Sequence, residues 1–209
     1  FFFFKPTPDP AMLRCLVGSE LCIRDRLEEV LEDLCQLAHR LPHHIGFYNG
    51  VGAGASIPGH FHFQFFHRAS ELPSFPIEER DFTTAKNGDD PEFILGYPIN
   101  ILRWQGDLGK VVSNAACWIS NWIKSEIEPN ERLSTNFIAT AARSHEEITL
   151  YFVPRDKNKQ FWNGNRGIVG GLEVLGELVM ASEDELALVE SGMLDYHFIE
   201  KALSTVSMN

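Results

Sequence analysis

A chain of 209 residues with 44% hydrophobic content is long enough to bury a substantial core, and its formal net charge of −11 excludes a nucleic-acid-binding surface, which needs clustered Lys and Arg. No apolar run approaches the roughly 18 residues of a membrane span. Cys15, Cys22, Cys35 and Cys117 have no Cys-x-x-Cys spacing, so neither a zinc knuckle nor a disulfide framework is indicated and a cytoplasmic location is the expectation.

Residues 1–26 open with four consecutive phenylalanines and show no periodic apolar pattern, so they read as a non-native or disordered leader. On that reading the native chain begins near Leu27, with its own N-terminal part missing. Leu27, Val30, Leu31, Leu34, Leu37, Ala38 and Leu41 then recur at helical spacing, and Pro42 ends the helix. A strand through Ile45–Asn49 follows. The small-residue run Gly50–Gly59 leads into a strand over His60–His67. Pro73, Pro76, Asn87-Gly88 and Asp89-Asp90-Pro91 mark a long polar connection, and Phe93–Trp104 reads as one or two short strands. Leu108, Val111, Val112, Ala115, Trp118, Ile119, Trp122 and Ile123 predict a second amphipathic helix, closed by Pro129. The glycine-rich segment Gly167–Gly176 fits no phosphate-binding motif and reads as a connection into a strand over Val174–Met180. Acidic helices near Glu183–Glu190 and Tyr196–Val206 close the chain.

Side chains alternate across an extended strand, so His60, His62 and Gln64 share one face while Phe61, Phe63 and Phe65 share the other. The apolar face belongs in a core. The nitrogen-rich face can hold a phosphate or a metal, and the preceding loop favours phosphate. There Gly50, Gly52, Gly54 and Gly59 with Ala53, Ala55 and Ser56 can turn backbone N–H groups toward an anion, to which Ser56 adds a hydroxyl.

An internal offset of 87 lays Asn49 on Asn136, Ala55 on Ala142, Phe65 on Phe152 and Arg68 on Arg155, each block preceded by an amphipathic helix. In that register His60, His62 and Gln64 fall on Glu147, Thr149 and Tyr151. The second copy lacks the chemistry. Its segment Leu150–Lys157 reads either as a pocket-facing strand end whose Arg155 and Lys157 reach phosphate or as an exposed turn. The expected organisation is a leader over 1–26, a truncated catalytic half over 27–80, a linker over 81–92 and a degenerate second half with C-terminal helices over 93–209.

The stretch Asn49 to Gln64 resembles the Asn-x-Gly, Gly-Ala-Ser, Pro and His-x-His-x-Gln signature of one branch of the histidine-triad superfamily. That branch holds galactose-1-phosphate uridylyltransferases, diadenosine tetraphosphate phosphorylases and GDP-hexose phosphorylases. His60–Gln64 followed by Phe75-Pro76-Ile77-Glu78, and Glu173–Met180 followed by Glu183-Asp184-Glu185, are most similar to the GDP-hexose phosphorylases. Ser56 and His60 stand one residue further apart than in the uridylyltransferase pattern. The resemblance implies an α+β, histidine-triad-like fold: an antiparallel sheet with amphipathic helices, in two tandem half-repeats of which one carries the nucleophile. It also implies that Asn49 binds ribose or phosphate.

A ring nitrogen of His62 can attack the α-phosphorus of a nucleoside diphosphate derivative, expelling a phosphate leaving group and forming a nucleotidyl-histidine. Loop N–H groups, including that of Gly54, together with Ser56 would stabilise the charge on the phosphoryl oxygens. The other ring nitrogen of His62 needs a partner, for which a loop carbonyl serves, and His60 braces the strand. Gln64 can donate a hydrogen bond but cannot shuttle a proton, which favours ionised phosphate over water as acceptor. The expected substrates are a nucleotide sugar or dinucleoside polyphosphate with inorganic phosphate or sugar phosphate, without metal or cofactor, with a homodimer as an option. The alternatives are a histidine-triad-like nucleotide hydrolase, an inactive nucleotide-binding protein, and a metal-binding cupin-type barrel. The last is suggested by Gly54 and the His60-x-His62 pair, although Phe66 and His67 stand where the barrel motif wants a glutamate.

Overall fold

In a computed structural model the described residues are 23–55, 57, 60–67, 74–83, 89–128, 131, 133–141, 147–163, 166–179 and 182–208. The elements run α1 (Leu27–Arg40), β1 (His44–Asn49), β2 (Gln64–His67), β3 (Glu92–Phe93), β4 (Leu102–Gly106), α2 (Leu108–Glu126), β5 (Thr135–Ala141) and β6 (Ile148–Pro154). They continue with β7 (Phe161–Asn163), β8 (Arg166–Ile168), α3 (Gly171–Leu175), α4 (Glu183–Glu190) and α5 (Tyr196–Val206). Six strands form one antiparallel sheet in the order β2-β1-β5-β6-β4-β3, and β7 pairs with β8 apart from it. The predicted α+β class and its two helix-strand-strand units, α1-β1-β2 and α2-β5-β6, are therefore observed. Their first strands, β1 and β5, pair side by side and join the two units in one sheet.

Period-two alternation sorts the strand residues between two cores. Tyr48, Leu102, Trp104, Phe137, Ala139, Ile148, Leu150 and Phe152 face α1 and α2. Ile45, Phe47, Ile138, Tyr151 and Val153 face the other side, which α3, α5 and the Phe75–Ile77 segment cover. Gly46 permits the close packing on the helix side, because a Cβ there would lie 2.7 Å from the Phe65 ring and 3.0 Å from Leu34. Asp107 caps α2 by accepting from the Lys110 amide at 3.2 Å.

Three sequence expectations need correction. Ile23 is 2% exposed within the helix-side core and residues 23–25 are helical, so the apolar stripe starts before Leu27, where one buried residue was too little to show a period. Within the polar connection after β2, Phe75 and Ile77 are buried in the sheet's second core and Phe82 lies against the Arg103 guanidinium. Val174 lies in the short helix α3, which ends at Gly176 in the left-handed conformation (φ 103°); no strand forms up to Val179, and Met180 lies outside the described residues. The strand expected from His60 begins at Gln64, since the β1·β2 ladder ends at Phe47↔Gln64 while β1 continues pairing with β5 as far as Asn49↔Asn136. Pro129 lies outside the described residues.

Candidate active site

His60, His62 and Gln64 stay on one side of their segment without a ladder to hold them, because the intervening phenylalanines pin its back. Phe61 stacks on Tyr48 at 5.4 Å between ring centroids, Phe63 meets Phe61 edge-on at 5.1 Å, and both pack with Phe65 against the helix-side core. On the front, the His60 and His62 rings lie 5.4 Å apart. His62 Nδ1 is 3.0 Å from the His60 carbonyl oxygen, so Nδ1 carries the proton, donates to that oxygen and leaves Nε2 with its lone pair free. His60 is exposed and contributes this orienting carbonyl, whereas His62 and Gln64 are half-buried.

Gln64 is tied to the sheet centre through amides. Asn49 Nδ2 donates to Gln64 Oε1 at 3.2 Å, and Asn49 Oδ1 accepts from Asn136 Nδ2 at 2.8 Å and from the Gly171 amide at 2.9 Å. Asn136 Nδ2 also donates to the Ala53 carbonyl at 2.7 Å, and Asn136 Oδ1 accepts from Arg155 Nη1 at 2.7 Å. Arg155 Nε donates to the Val206 carbonyl at 3.3 Å. Asn136 is 0% and Arg155 3% exposed, and burial pushes the guanidinium down to about 10, against which the nearby Glu173 charge acts. It remains a cation at neutral pH. Burial raises the Glu173 carboxyl in turn, although its Oε2 accepts from the Gly170 amide at 2.8 Å.

Of the remaining expected ligands, Arg155 joins this group from its buried side and Lys157 stands apart from it. The Arg155 guanidinium is buried, with Nη1 on Asn136 Oδ1 and Nε on the Val206 carbonyl, while its Nη2 has no hydrogen-bond partner. Lys157 is ion-paired with Glu131 at the surface, while its backbone carbonyl packs behind Gly52. Gly54 (φ 93°) backs onto Gly170, where a Cβ would come within 2.5 Å of the Gly170 Cα, so its lack of a side chain serves a backbone crossing. The loop amides of Gly50, Ala53 and Ala55 donate to the carbonyls of Thr135 and Gly50. Those three are spent within the framework rather than offered to an anion. Ser56 lies outside the described residues. Sequence reasoning had noticed Asn136 only as a repeat partner of Asn49, and the structure places the two directly opposite each other in the β1·β5 ladder. It missed Glu173 and the Gly170-Gly171 backbone, whose only signal was a pair of adjacent glycines without a motif.

The described residues form an α+β fold, an open antiparallel sheet with one face covered by helices. It is no cupin barrel. Residues 16–67 match a domain of unknown function, DUF4922. No curated protein is significantly similar to the chain in sequence. Among solved structures, yeast Ap4A phosphorylase Apa2 is similar with a TM-score of 0.54 and 17% identity over 88% of this chain and 64% of that one. Its complex with AMP gives 0.55 and 19% over 88% and 62%. This chain thus spans less than two thirds of the yeast enzyme's length. A DUF4931 family protein from Bacillus cereus ATCC 10987 aligns at a TM-score of 0.40 with 15% identity over 87% of this chain and 83% of that one. No helix among the described residues is long and apolar enough to cross a membrane.

Proposed function

We propose that the chain carries the nucleophile of a nucleotidyltransferase of the phosphorylase type, acting on a dinucleoside polyphosphate or a nucleoside diphosphate sugar. The observation that carries this reading is the oriented imidazole. With Nδ1–H held by the His60 carbonyl, Nε2 of His62 attacks the α-phosphorus, the bond from that phosphorus to the bridging oxygen breaks, and the leaving phosphate departs with the bond pair. Inorganic phosphate or a sugar phosphate then attacks the nucleotidyl-histidine and restores the imidazole. Gln64, tied to Asn49, donates to a phosphoryl oxygen but holds no proton acceptor for water, so phosphorolysis is favoured over hydrolysis. The similarity in fold to yeast Ap4A phosphorylase supports dinucleoside polyphosphates as one substrate class. The His60–Gln64 and Phe75–Glu78 motifs support GDP-hexoses as the other.

The test is incubation with diadenosine tetraphosphate and, separately, GDP-hexose, each labelled at the phosphorus next to the nucleoside. Label retained on the protein through alkali and lost in acid, with nucleoside diphosphate released on adding inorganic phosphate, is the expected result. Nucleoside monophosphate formed at the same rate with or without phosphate would instead identify a hydrolase.

A further inference from the structure

The amide chain from Arg155 to Gln64 has a direction, and Arg155 acts on it from the buried end. A guanidinium donates hydrogen bonds and never accepts them, whereas each Asn or Gln amide can face either way. Arg155 Nη1 therefore compels Asn136 to turn its oxygen inward, and Asn136 Nδ2 must then donate to the Ala53 carbonyl and to Asn49 Oδ1. The Gly171 N–H, also a pure donor, requires the same orientation of Asn49. With its oxygen taken twice, Asn49 has only its Nδ2 for Gln64, which must accept through Oε1. What Gln64 has left, on the face it shares with His62, is its Nε2 group with two N–H donors.

From this we infer that Arg155 is a positioning residue, which acts through Asn136 and Asn49 to fix the amide of Gln64 with its N–H groups toward an anionic phosphoryl oxygen. The inference deepens the phosphorylase reading by saying why an amide at this position behaves as a donor of one sense. A neutral hydrogen-bonding residue at 155 would lack that one-way character. Without Arg155, Asn136 Oδ1 is left buried with no donor, only the Ala53 carbonyl and the Gly171 N–H still favour the sense of the two asparagines, and Gln64 can more often present Oε1, which repels a phosphate.

Side-chain amide NMR reads the polarity without any substrate, and Gln64→Glu and Asn49→Asp variants assign the two signals. In the wild-type protein the Asn49 Nδ2 protons should be protected from exchange, and the Gln64 Nε2 protons should exchange freely and shift on adding AMP. In Arg155→Met the Asn49 protection should fall at least about tenfold and the AMP dissociation constant should rise by about as much, while Arg155→Lys, which retains a donor, should restore most of both. Far-UV circular dichroism checks that the variants fold. If Arg155→Met does not fold, Asn136→Asp keeps an acceptor for Arg155 but removes the donor to Asn49 and should produce the same two changes. Unchanged Asn49 and Gln64 signals in a folded variant would overturn the inference. Absence of any wild-type response to AMP with the exchange pattern intact would count against the nucleotide reading and leave the relay standing.

Discussion

The two helix-strand-strand units have the same order and opposite fates. In α2-β5-β6 the outer strand β6 pairs along seven residues with β5, is flanked by β4, and has six of its residues buried. In α1-β1-β2 the outer strand β2 pairs along four residues, forms the sheet edge and has none buried. The second unit's strands stay paired as far as Ala141↔Ile148, close in the chain, whereas the first places residues 48–63 between its last paired positions, Phe47 and Gln64. That diversion sets His60 and His62 beyond the ladder, at the edge of the sheet. The buried unit contributes the polar groups that need protection from water, Asn136 and Arg155. On the proposed function the reacting groups lie in the exposed unit and their support in the buried one, as a reaction at phosphate requires both access and a fixed framework.

The largest expected effect tests where the chemistry lies. His62→Ala should abolish the covalent label and lower turnover by about 10³-fold or more, because it removes the attacking nitrogen. Thr149→Ala, at the position that the repeat lays on His62, should leave turnover near wild type. Comparable losses in both variants would show that the second unit also carries reacting groups.

The next tests the difference in packing. Phe152 is 0% exposed, stacked at 5.6 Å on Phe137 and edge-on to Trp122 at 5.2 Å, so Phe152→Ala should cost about 3–5 kcal/mol. Phe65 holds the corresponding place in the first unit but is half-buried, and Phe65→Ala should cost about 1–2 kcal/mol, because the gap opens to water instead of forming a sealed cavity. Denaturant titration gives both values. Equal costs would mean that the edge unit is as tightly packed as the inner one.

A smaller change sharpens the chemical side. Gln64→His places a proton carrier beside the proposed intermediate, and hydrolysis relative to phosphorolysis should rise by about 10- to 100-fold. Product analysis with and without inorganic phosphate measures the ratio. An unaltered ratio would show that water is excluded by shape rather than by the want of a base.

Much of this division was legible in the residues. The helical stripes of α1 and α2, the short strands near Phe93–Trp104, the terminal helices α4 and α5 and the alternation at His60–Phe65 all follow from local periodicity, which survives folding because each element buries one face. The amide chain could not be read this way. Asn136 and Arg155 stand 87 and 106 positions from Asn49, and only the β1·β5·β6 ladders bring them together. The expectation that Arg155 reaches phosphate comes from reading Leu150–Lys157 as a pocket-facing strand end, with an exposed turn as the alternative. The burial of Arg155 depends on α5, whose Val206 carbonyl accepts from that side chain. The short helix α3 was read as strand because Val174 and Leu175 fit either state, and the left-handed Gly176 that ends it has no unique signal.

The smallest effect tests the weak edge itself. His44 and His67 are opposed in the β1·β2 ladder with their rings edge to face at 5.0 Å. Burial first, and then the charges that His67 and His43 would carry, hold His44 below the ordinary histidine value of 6.5. Folding therefore favours its neutral form, and the sign follows from proton counting: below 6.5 the unfolded chain binds more protons than the folded one at this site. Stability from His44 is complete above that value and is lost as pH falls through the lower folded one. The first unit should accordingly loosen in mild acid before the second, and His67→Gln should blunt the change by removing the opposing charge. Native-state hydrogen exchange, corrected for the intrinsic rate at each pH, compares the amides of β2 with those of β6 in the same sample. Protection that falls equally in both strands between pH 7 and pH 5, or a His67→Gln profile no flatter than wild type, would show that acid acts on the whole sheet and not on this edge.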